Sequence, residues 1–322
     1  MPRVALADLL GRRVVVRRVA DRSAAGAKYA DVVGVLVTAE PDRLAVRRAD
    51  GTVQAVDLPD VHRVKQVPPS VADVLALEEI AALGWPALDA RWLGRWLLRA
   101  SHGWTGRANS VLPLGDPGLP LDAALAEVAG WYRQHGLPGR FQVPLPARAG
   151  LDEALAERGW TGYNLTAVLT ADVPVTLAAL PARADLPPVA LDPTPSAEWL
   201  SAYHYRGGAA LPDFAVRLMT GAQRPVFASV TDGGTVLGIA RGVLDRGWLG
   251  VTAVEVAPAA RRQGLATHLM RALLEWAAER RATAVYLQVA EENAAGLAFY
   301  RRLRFARHHQ YRYRLAPAEE DS

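Results

Sequence analysis

Short apolar stretches separated by turn residues characterise the first 67 residues of the chain. The stretches are rich in valine and alternate with polar residues, which is typical of β-strands with one buried face. They fall at 14–18, 31–37, 43–48, 52–57 and 61–65. Asp50 and Gly51, between the third and fourth stretches, form a strong hairpin signal. We therefore predict a small all-β, SH3-like barrel over residues 1–67.

From residue 70 onwards, helical and strand-like periods alternate. Helices are predicted at 71–83, 122–134 and 152–158, and strands at 140–143 and 165–170. Asp122 is the expected N-cap of the second helix. The stretch 91–100 fits either a helix or a strand.

Six prolines lie between residues 171 and 195, which indicates an inter-domain linker over 176–195. Beyond it, helices are predicted at 196–203 and 213–219, and strands at 226–230, 236–243 and 248–256. The predicted organisation after the barrel is an α/β half at 70–175, the linker at 176–195, a second α/β domain at 196–316 and an acidic tail at 317–322.

Composition narrows the functional classes. The 322 residues are 51% hydrophobic and 22% charged, as in an ordinary globular protein. The net charge of only +4, with acidic residues spread among the arginine pairs of the barrel, argues against a nucleic-acid partner. The absence of cysteine, of a signal-peptide pattern and of a long apolar run favours a cytoplasmic protein without a membrane span. The oligomeric state stays open.

The most informative stretch joins a predicted strand to a helix at residues 254–270. Gly264 and Ala266 leave the first turn of that helix almost bare, so a ligand can approach the backbone N–H groups of 263–267. Arg261 and Arg262 add positive charge beside the positive end of the helix dipole. This arrangement predicts a diphosphate-binding site.

The pattern Arg261-x-x-Gly264-x-Ala266 resembles the diphosphate-binding motif of the GNAT family of acetyl-CoA-dependent N-acetyltransferases. A strand at 284–289 and a helix with Asn293 at its start and Tyr300 near its end follow, as in that family. Arg304 departs from the family pattern, which has glycine before the closing aromatic residue Phe305.

The resemblance implies the α+β GNAT fold, a mixed central sheet flanked by helices, in 196–316. It implies acetyl-CoA as the co-substrate, a primary amine as the acceptor, and no metal. The residues expected at the cofactor are Val254, Val256, Arg261, Arg262, Gln263, Gly264, Leu265, Ala266, Thr267, Asn293 and Tyr300.

Three catalytic residues follow from the resemblance. The backbone N–H of Val256 is expected to stabilise the oxyanion, and the Tyr300 phenol to protonate the leaving sulfur. Glu255 is either the base that accepts the amine proton through water or a strand carboxylate paired with an arginine. Glu198, His204, Asp213 and Glu291 are less specific candidates for the base. The pair His308 and His309 is expected at the surface.

Residues 85–170 resemble the C-terminal half at a nearly constant shift of about 145 residues, which suggests an internal duplication. The first copy lacks the chemistry: at that shift Gly264 corresponds to Leu119, Arg261 to Asp116 and Tyr300 to Leu155. We therefore expect a degenerate GNAT-like half. The whole chain is similar to actinobacterial acetyltransferases that carry an SH3-like module before the catalytic part.

Three functions remain open at this point. The first is transfer of acetyl to a small-molecule amine. The second is acetylation of a protein lysine of the histone type. The third is a non-catalytic CoA-binding or scaffold role.

Overall fold

Five strands between residues 13 and 66 form an antiparallel sheet. The computed structural model describes residues 6–23, 26–204 and 211–318, so most of the predicted acidic tail lies outside it. The strands are β1 Arg13–Ser23, β2 Gly26–Ala39, β3 Arg43–Arg47, β4 Val53–Asp57 and β5 Val61–Gln66. Their valines and leucines alternate between a buried face and an exposed face, and the buried set includes Val14, Val16 and Leu36.

All five predicted strands of this region are confirmed, but a closed barrel is not shown. The strand order is β4-β3-β2-β1-β5, so β4 and β5 are the two edges. Within the described residues no ladder joins these edges, and closure of a barrel requires one. The Asp50–Gly51 hairpin is confirmed: Gly51 has a φ of 84°, and the Asp50 side chain accepts a hydrogen bond from the Thr52 N–H at 2.9 Å.

The rest of the described chain contains eight helices and eleven strands. The helices are α1 Val71–Gly84, α2 Leu121–Gln134, α3 Ala149–Glu157, α4 Val173–Ala179, α5 Ala197–Ala202, α6 Ala215–Thr220, α7 Leu265–Glu279 and α8 Ala294–Arg302. The strands are β6 Asp89–Leu93, β7 Trp96–Ala100, β8 Leu112–Pro113, β9 Arg140–Leu145, β10 Thr161–Asp172, β11 Val189–Asp192, β12 Pro225–Asp232, β13 Thr235–Asp245, β14 Trp248–Val256, β15 Ala284–Ala290 and β16 Ala306–Leu315.

An eight-stranded sheet in the order β11-β12-β13-β14-β15-β10-β16-β9 forms the centre of this region. Helix α7 covers one face with its apolar stripe, which includes Leu269 and Leu273. Helices α5 and α6 lie on the opposite face, where Trp199 packs on Phe227. The stretch 91–100, which the sequence left open, contains β7 and most of β6 in a small sheet of β6, β7 and β8. No helix of the described residues is long and apolar enough to cross a membrane.

Strand β10 comes from the predicted first half but lies inside the sheet of the second. It is antiparallel to β15 on one side and to β16 on the other, so Val168 is opposite both Gln288 and His309. Strand β16 pairs in turn with β9. The last strands of the two predicted halves therefore lie side by side, and each pairs with a strand of the other half.

The helices that precede these two strands have matching bounds. Helix α3 and helix α8 each span nine residues and begin 145 residues apart (294 − 149). The internal duplication stays a prediction, and this spacing agrees with the shift on which it was based. The proline-rich segment 176–195 contains the end of α4 and the edge strand β11, so it is more ordered than an extended linker.

Two local predictions are wrong. Asp122 does not cap α2: the N-cap is Pro120, and Asp122 lies in the first turn, where it accepts a hydrogen bond from Arg158 Nε at 2.8 Å. The histidine pair is not a surface feature either. The His309 ring is buried and lies 2.7 Å from the Glu78 carboxylate of α1, because β16 is covered by that helix.

Candidate active site

The central sheet opens between strands β14 and β15. The two strands are parallel and pair from Trp248 to Val251, opposite Ala284 to Leu287, and then separate. A bulge in β14 accompanies the separation: two residues, Ala253 and Val254, oppose one residue of β13, and Ala253 has a φ of 54°. A bulge bends its strand and increases the twist. The opening is therefore built into the backbone of β14.

The backbone N–H groups of two predicted site residues face this opening. Beyond the bulge, the Ala257 N–H donates to the Leu237 carbonyl of β13 at 2.9 Å. Successive N–H groups of a strand point to opposite edges. Those of Val254 and Val256 therefore point away from β13, towards the gap in front of β15. In this position they can donate hydrogen bonds to a ligand that lies between the two strands.

The predicted strand–turn–helix at residues 254–270 is confirmed. A short 3-10 turn at Pro258–Ala260 follows β14, and α7 begins directly after Gly264. Gly264 has a φ of 91°, a conformation that side chains with a Cβ rarely adopt. Arg261 donates from Nε to the Val256 carbonyl at 3.2 Å. The guanidinium is thereby fixed at the same edge of β14 as the Val256 N–H.

A residue that the sequence analysis missed lies against this loop. The Arg183 guanidinium, from the proline-rich segment, donates from Nη2 to the Gln263 carbonyl at 3.3 Å and pairs with Asp185 at 2.6 Å. This ion pair lowers the pKa of Asp185 to about 2, mainly through the hydrogen bond from Arg183. No motif marks Arg183, because 80 residues separate it from Gln263.

Two further contacts hold the proline-rich segment on α7. The His268 ring lies 3.0 Å from the Pro187 carbonyl, and Arg271 donates to the Leu180 carbonyl. The segment therefore follows the first two turns of α7, and it places Arg183 at the exposed amides of the loop.

A cavity of about 600 Å³ lies between the loop, β13 and the end of α5. Its lining includes the predicted residues Glu255, Val256 and Arg261, together with His204. The Glu255 carboxylate accepts the His204 backbone N–H at 3.1 and 3.2 Å, and its nearest oxygen is 3.6 Å from His204 Nδ1. The sequence had left pairing with an arginine as one of two possible roles of Glu255. In the structure, the carboxylate instead contacts a histidine and a backbone amide.

The other predicted candidates lie elsewhere. Glu291 pairs with Arg307 at 2.7 Å, which makes it an ion-pair partner on the β15 side. Asn293 caps α8, as predicted, by accepting the Gly296 N–H at 2.9 Å. Glu198 lies in the exposed first turn of α5. Asp213 lies two residues before α6.

Tyr300 lies on α8 and is not part of the lining of the large cavity. Its ring packs against Phe299 and Phe305, with centroid distances of 4.9 and 5.7 Å. Burial raises the pKa of the Tyr300 phenol above its usual value. The hydroxyl therefore stays protonated in the neutral range, and it is a weaker acid than a free phenol.

The turn after α8 keeps the shape that glycine would give it. Arg304 has a φ of 65°, so an arginine occupies the left-handed conformation that ends the helix. Such a conformation costs a residue with a Cβ about 1–2 kcal/mol. The departure of the sequence at Arg304 thus leaves the position of Phe305 intact, and Phe305 is buried against Tyr300.

A family model and two known proteins are similar to this chain in sequence. A family described as "Probable histone acetyltransferase Rv0428c C-terminal" matches residues 71–314. The probable histone acetyltransferase Rv0428c of Mycobacterium tuberculosis (strain ATCC 25618 / H37Rv) is 33% identical over 321 residues, 94% of each chain. The uncharacterized N-acetyltransferase YobR of Bacillus subtilis (strain 168) is 28% identical over 252 residues, 76% of this chain and 98% of its own.

A solved structure has the same fold. The GCN5-related N-acetyltransferase from Kribbella flavida matches with a TM-score of 0.57 and 18% identity, over 76% of this chain and 96% of that chain. The expected mixed α/β fold, with a central sheet flanked by helices, is thereby confirmed.

Proposed function

The chain belongs to the GNAT family of N-acetyltransferases, in the group represented by the C-terminal region of Rv0428c, and from this premise we propose its activity. It transfers an acetyl group from acetyl-CoA to a primary amine of a small molecule. The neutral amine attacks the thioester carbonyl. The new C–N bond gives a tetrahedral oxyanion; as the oxyanion collapses the C–S bond breaks, the nitrogen loses a proton, and CoA leaves as the thiol.

The observation that carries this proposal is the opening between β14 and β15, which lies beside the loop at Gly264. The N–H groups of Val254 and Val256 face the opening and can hold the pantetheine arm. The Val256 N–H is also our candidate for the oxyanion donor, and one such donor is commonly worth 100- to 1,000-fold in rate. A donor fixed in a strand needs no reorganisation during the reaction.

The diphosphate is assigned to the start of α7. The N–H groups of Gln263, Gly264, Leu265, Ala266 and Thr267 belong to the turn and the first helical residues, where helices lack internal acceptors. Arg261 and Arg262 supply charge at this end. Asn293, at the start of α8, is the candidate for a contact with the pantetheine arm. These residues fit a ligand that carries a diphosphate at one end and a thioester at the other.

Glu255 and Tyr300 are the proposed base and acid. Glu255 is about one-third exposed and opens onto the large cavity, so water can carry a proton from the amine to its carboxylate. The His204 N–H donates to that carboxylate and fixes its orientation. Tyr300 is the candidate acid for the sulfur because it lies on α8 at the position to which the family resemblance assigns this role.

A protein lysine is the second candidate acceptor. The observation in its favour is the name of the relative that is 33% identical, a probable histone acetyltransferase. The N-terminal sheet, with its exposed Tyr29 and Val33, offers a surface on which a macromolecule could be held. Removal of residues 1–67 should then abolish modification of the protein substrate and spare small amines.

The test of the proposed function is CoA binding and thiol release by matched glycine variants. In Gly264→Ala, the new methyl group would clash with the Arg183 guanidinium at the loop. We expect CoA affinity to fall at least tenfold. Gly247→Ala is the control, because Gly247 has a φ of 76° and open space around it. Both variants carry similar backbone strain, so equal CoA binding by both would refute the assigned site.

A further inference from the structure

A second, much smaller cavity lies at the foot of the strand opening. It has a volume of about 10 Å³, which is room for one water-sized group. Its walls come from α1, β13, β14, β15 and the segment after β7. Its lining includes Trp85, Arg107, Arg241, Thr252 and Gln288. Among the residues that the structure describes, no acidic side chain lines it.

The cavity lies on the face of the sheet that also carries Glu255. A Cβ atom at Gly238 or Gly242 of β13 would lie against Leu269 or Leu273 of α7, so the intervening Arg241 points to the opposite face. There Arg241 bonds to the Met219 carbonyl of α6.

The large cavity opens on this same face. It is lined by Ala202 of α5, Ile239 of β13 and Glu255. The small cavity is thus on the side from which we expect the amine to approach.

Arg241 is a buried cation whose hydrogen-bond acceptors are all neutral. Its side chain has 0% exposure and donates to the Met219 and Gly84 carbonyls at 2.8 and 3.1 Å, and weakly to the Thr252 hydroxyl. Burial, with a smaller effect from Arg107, lowers the pKa of Arg241 to about 9. A buried charge is costly unless an opposite charge accompanies it. The surroundings of Arg241 therefore favour a small anion.

A second guanidinium and a free amide donor face the same space. Arg107 and Arg241 both stack on Trp85, with 5.1 and 5.0 Å from each guanidinium to the ring centroid. The Gln288 Oε1 atom accepts a hydrogen bond from Arg107, which fixes the orientation of the amide. Gln288 Nε2 is buried and has no hydrogen-bond partner in the part of the chain that the structure describes. This donor is held ready for an acceptor atom that enters the cavity.

We propose that this cavity binds one oxygen of a carboxylate carried by the acceptor substrate, so that the enzyme acetylates ω-amino acids. The proposal rests on the proposed acetyl transfer. Along β14, Val254 and Val256 lie two and four positions beyond Thr252 at the cavity, a distance of about 7–13 Å. The amine of an α-amino acid is only one carbon away from its carboxylate, so it would not reach the thioester beside Val254 and Val256. A terminal amine on a chain of several carbons spans the gap.

The test compares ω-amino acids of three to six carbons with alkylamines of the same length, using the full-length protein and acetyl-CoA. Thiol release and mass spectrometry report transfer. We expect kcat/KM to be at least tenfold higher for the longer ω-amino acids than for their matched amines, because a buried charge-assisted hydrogen bond discriminates strongly. Equal values for both series would overturn the proposal and leave acetyl transfer intact.

Two variants test the cavity itself. Gln288→Leu removes the free donor, and Arg107→Gln removes one guanidinium at a position that is only half-buried. Each should bring the ratio of kcat/KM for 6-aminohexanoate to that for hexylamine close to one, with CoA affinity unchanged. Gln310→Leu, a half-buried glutamine of β16, is the matched control and should keep the preference.

A binding measurement makes the result independent of turnover. Calorimetric titration of 6-aminohexanoate and of hexylamine into the CoA-saturated protein should show tighter binding of the amino acid. Equal binding, or no binding of either, would overturn the carboxylate site. Failure of the underlying acetyl transfer would be recognised separately, because CoA itself would not bind or no amine would release thiol.

Discussion

Arg183 lies directly on the backbone of Gly264, where a Cβ atom would clash with its guanidinium. One residue belongs to the proline-rich segment before β11 and the other to the turn before α7. The contact adds a third arginine to the loop at which Arg261 and Arg262 already lie. The segment therefore contributes to the proposed diphosphate site, in addition to connecting two parts of the chain.

Replacing Arg183 by alanine should weaken CoA binding about three- to tenfold, because a partly exposed cation contributes modestly to a phosphate contact. Binding of acetyl-pantetheine, which lacks the diphosphate, should not change. Calorimetry with both ligands gives the comparison. Arg280→Ala, at the other end of α7, is the charge-matched control. Equal losses for both ligands would place Arg183 outside the diphosphate site.

Replacing Tyr300 by phenylalanine should lower kcat by about 10- to 100-fold, because a positioned general acid is lost. The Kd for CoA should stay within about twofold, since the ring still packs on Phe305. Steady-state kinetics and calorimetry measure the two quantities. The exposed Tyr29 supplies the control variant Tyr29→Phe. Unchanged turnover in the Tyr300 variant would remove the phenol from the mechanism.

A charge in the middle of β10 should disrupt both predicted halves at once. Val168 is fully buried between β15 and β16, so Val168→Asp places an unpaired carboxylate there, at a cost of about 3–5 kcal/mol. Urea unfolding measures the loss. Val53→Asp, on an exposed strand edge, should change stability by less than about 0.5 kcal/mol. Similar midpoints for the two variants would contradict the position of β10.

Stability should fall as the pH decreases from about 6.5 towards 4. Burial, with help from His309, lowers the pKa of His308 to about 4, whereas an unfolded histidine titrates near 6.5. Between these values the unfolded chain binds a proton that the folded chain does not, so acid favours unfolding by at most about 3 kcal/mol. Urea midpoints at pH 7 and pH 5 measure this change.

The His308→Gln variant should show a flatter dependence of stability on pH over the same range. His62→Gln, at an exposed position of the N-terminal sheet, should retain the slope of the unmodified protein. A slope in the His308 variant equal to that of the unmodified protein would assign the acid sensitivity to other groups.

The sequence by itself determined the features that depend on a few adjacent residues. Pro258 fixes its own φ angle and Gly264 permits the φ of 91° at the start of α7, so these two residues marked the turn. Asn293 was identified as a cap because its side chain bonds to a backbone N–H three residues later. The alternation of valines gave the five strands of the N-terminal sheet. Backbone sterics and one-residue alternation act within a short window, so they are visible without a fold.

The tertiary structure decided which distant segments meet. It placed Arg183 on Gly264, β10 between β15 and β16, and Arg241 with Gln288 at one small cavity. It also corrected the position of His309, whose ring lies against Glu78 on a helix 231 residues earlier in the chain. These relationships depend on strand pairing and burial across long separations. No spacing within a single segment encodes them, because each partner satisfies its own local preferences wherever it is packed.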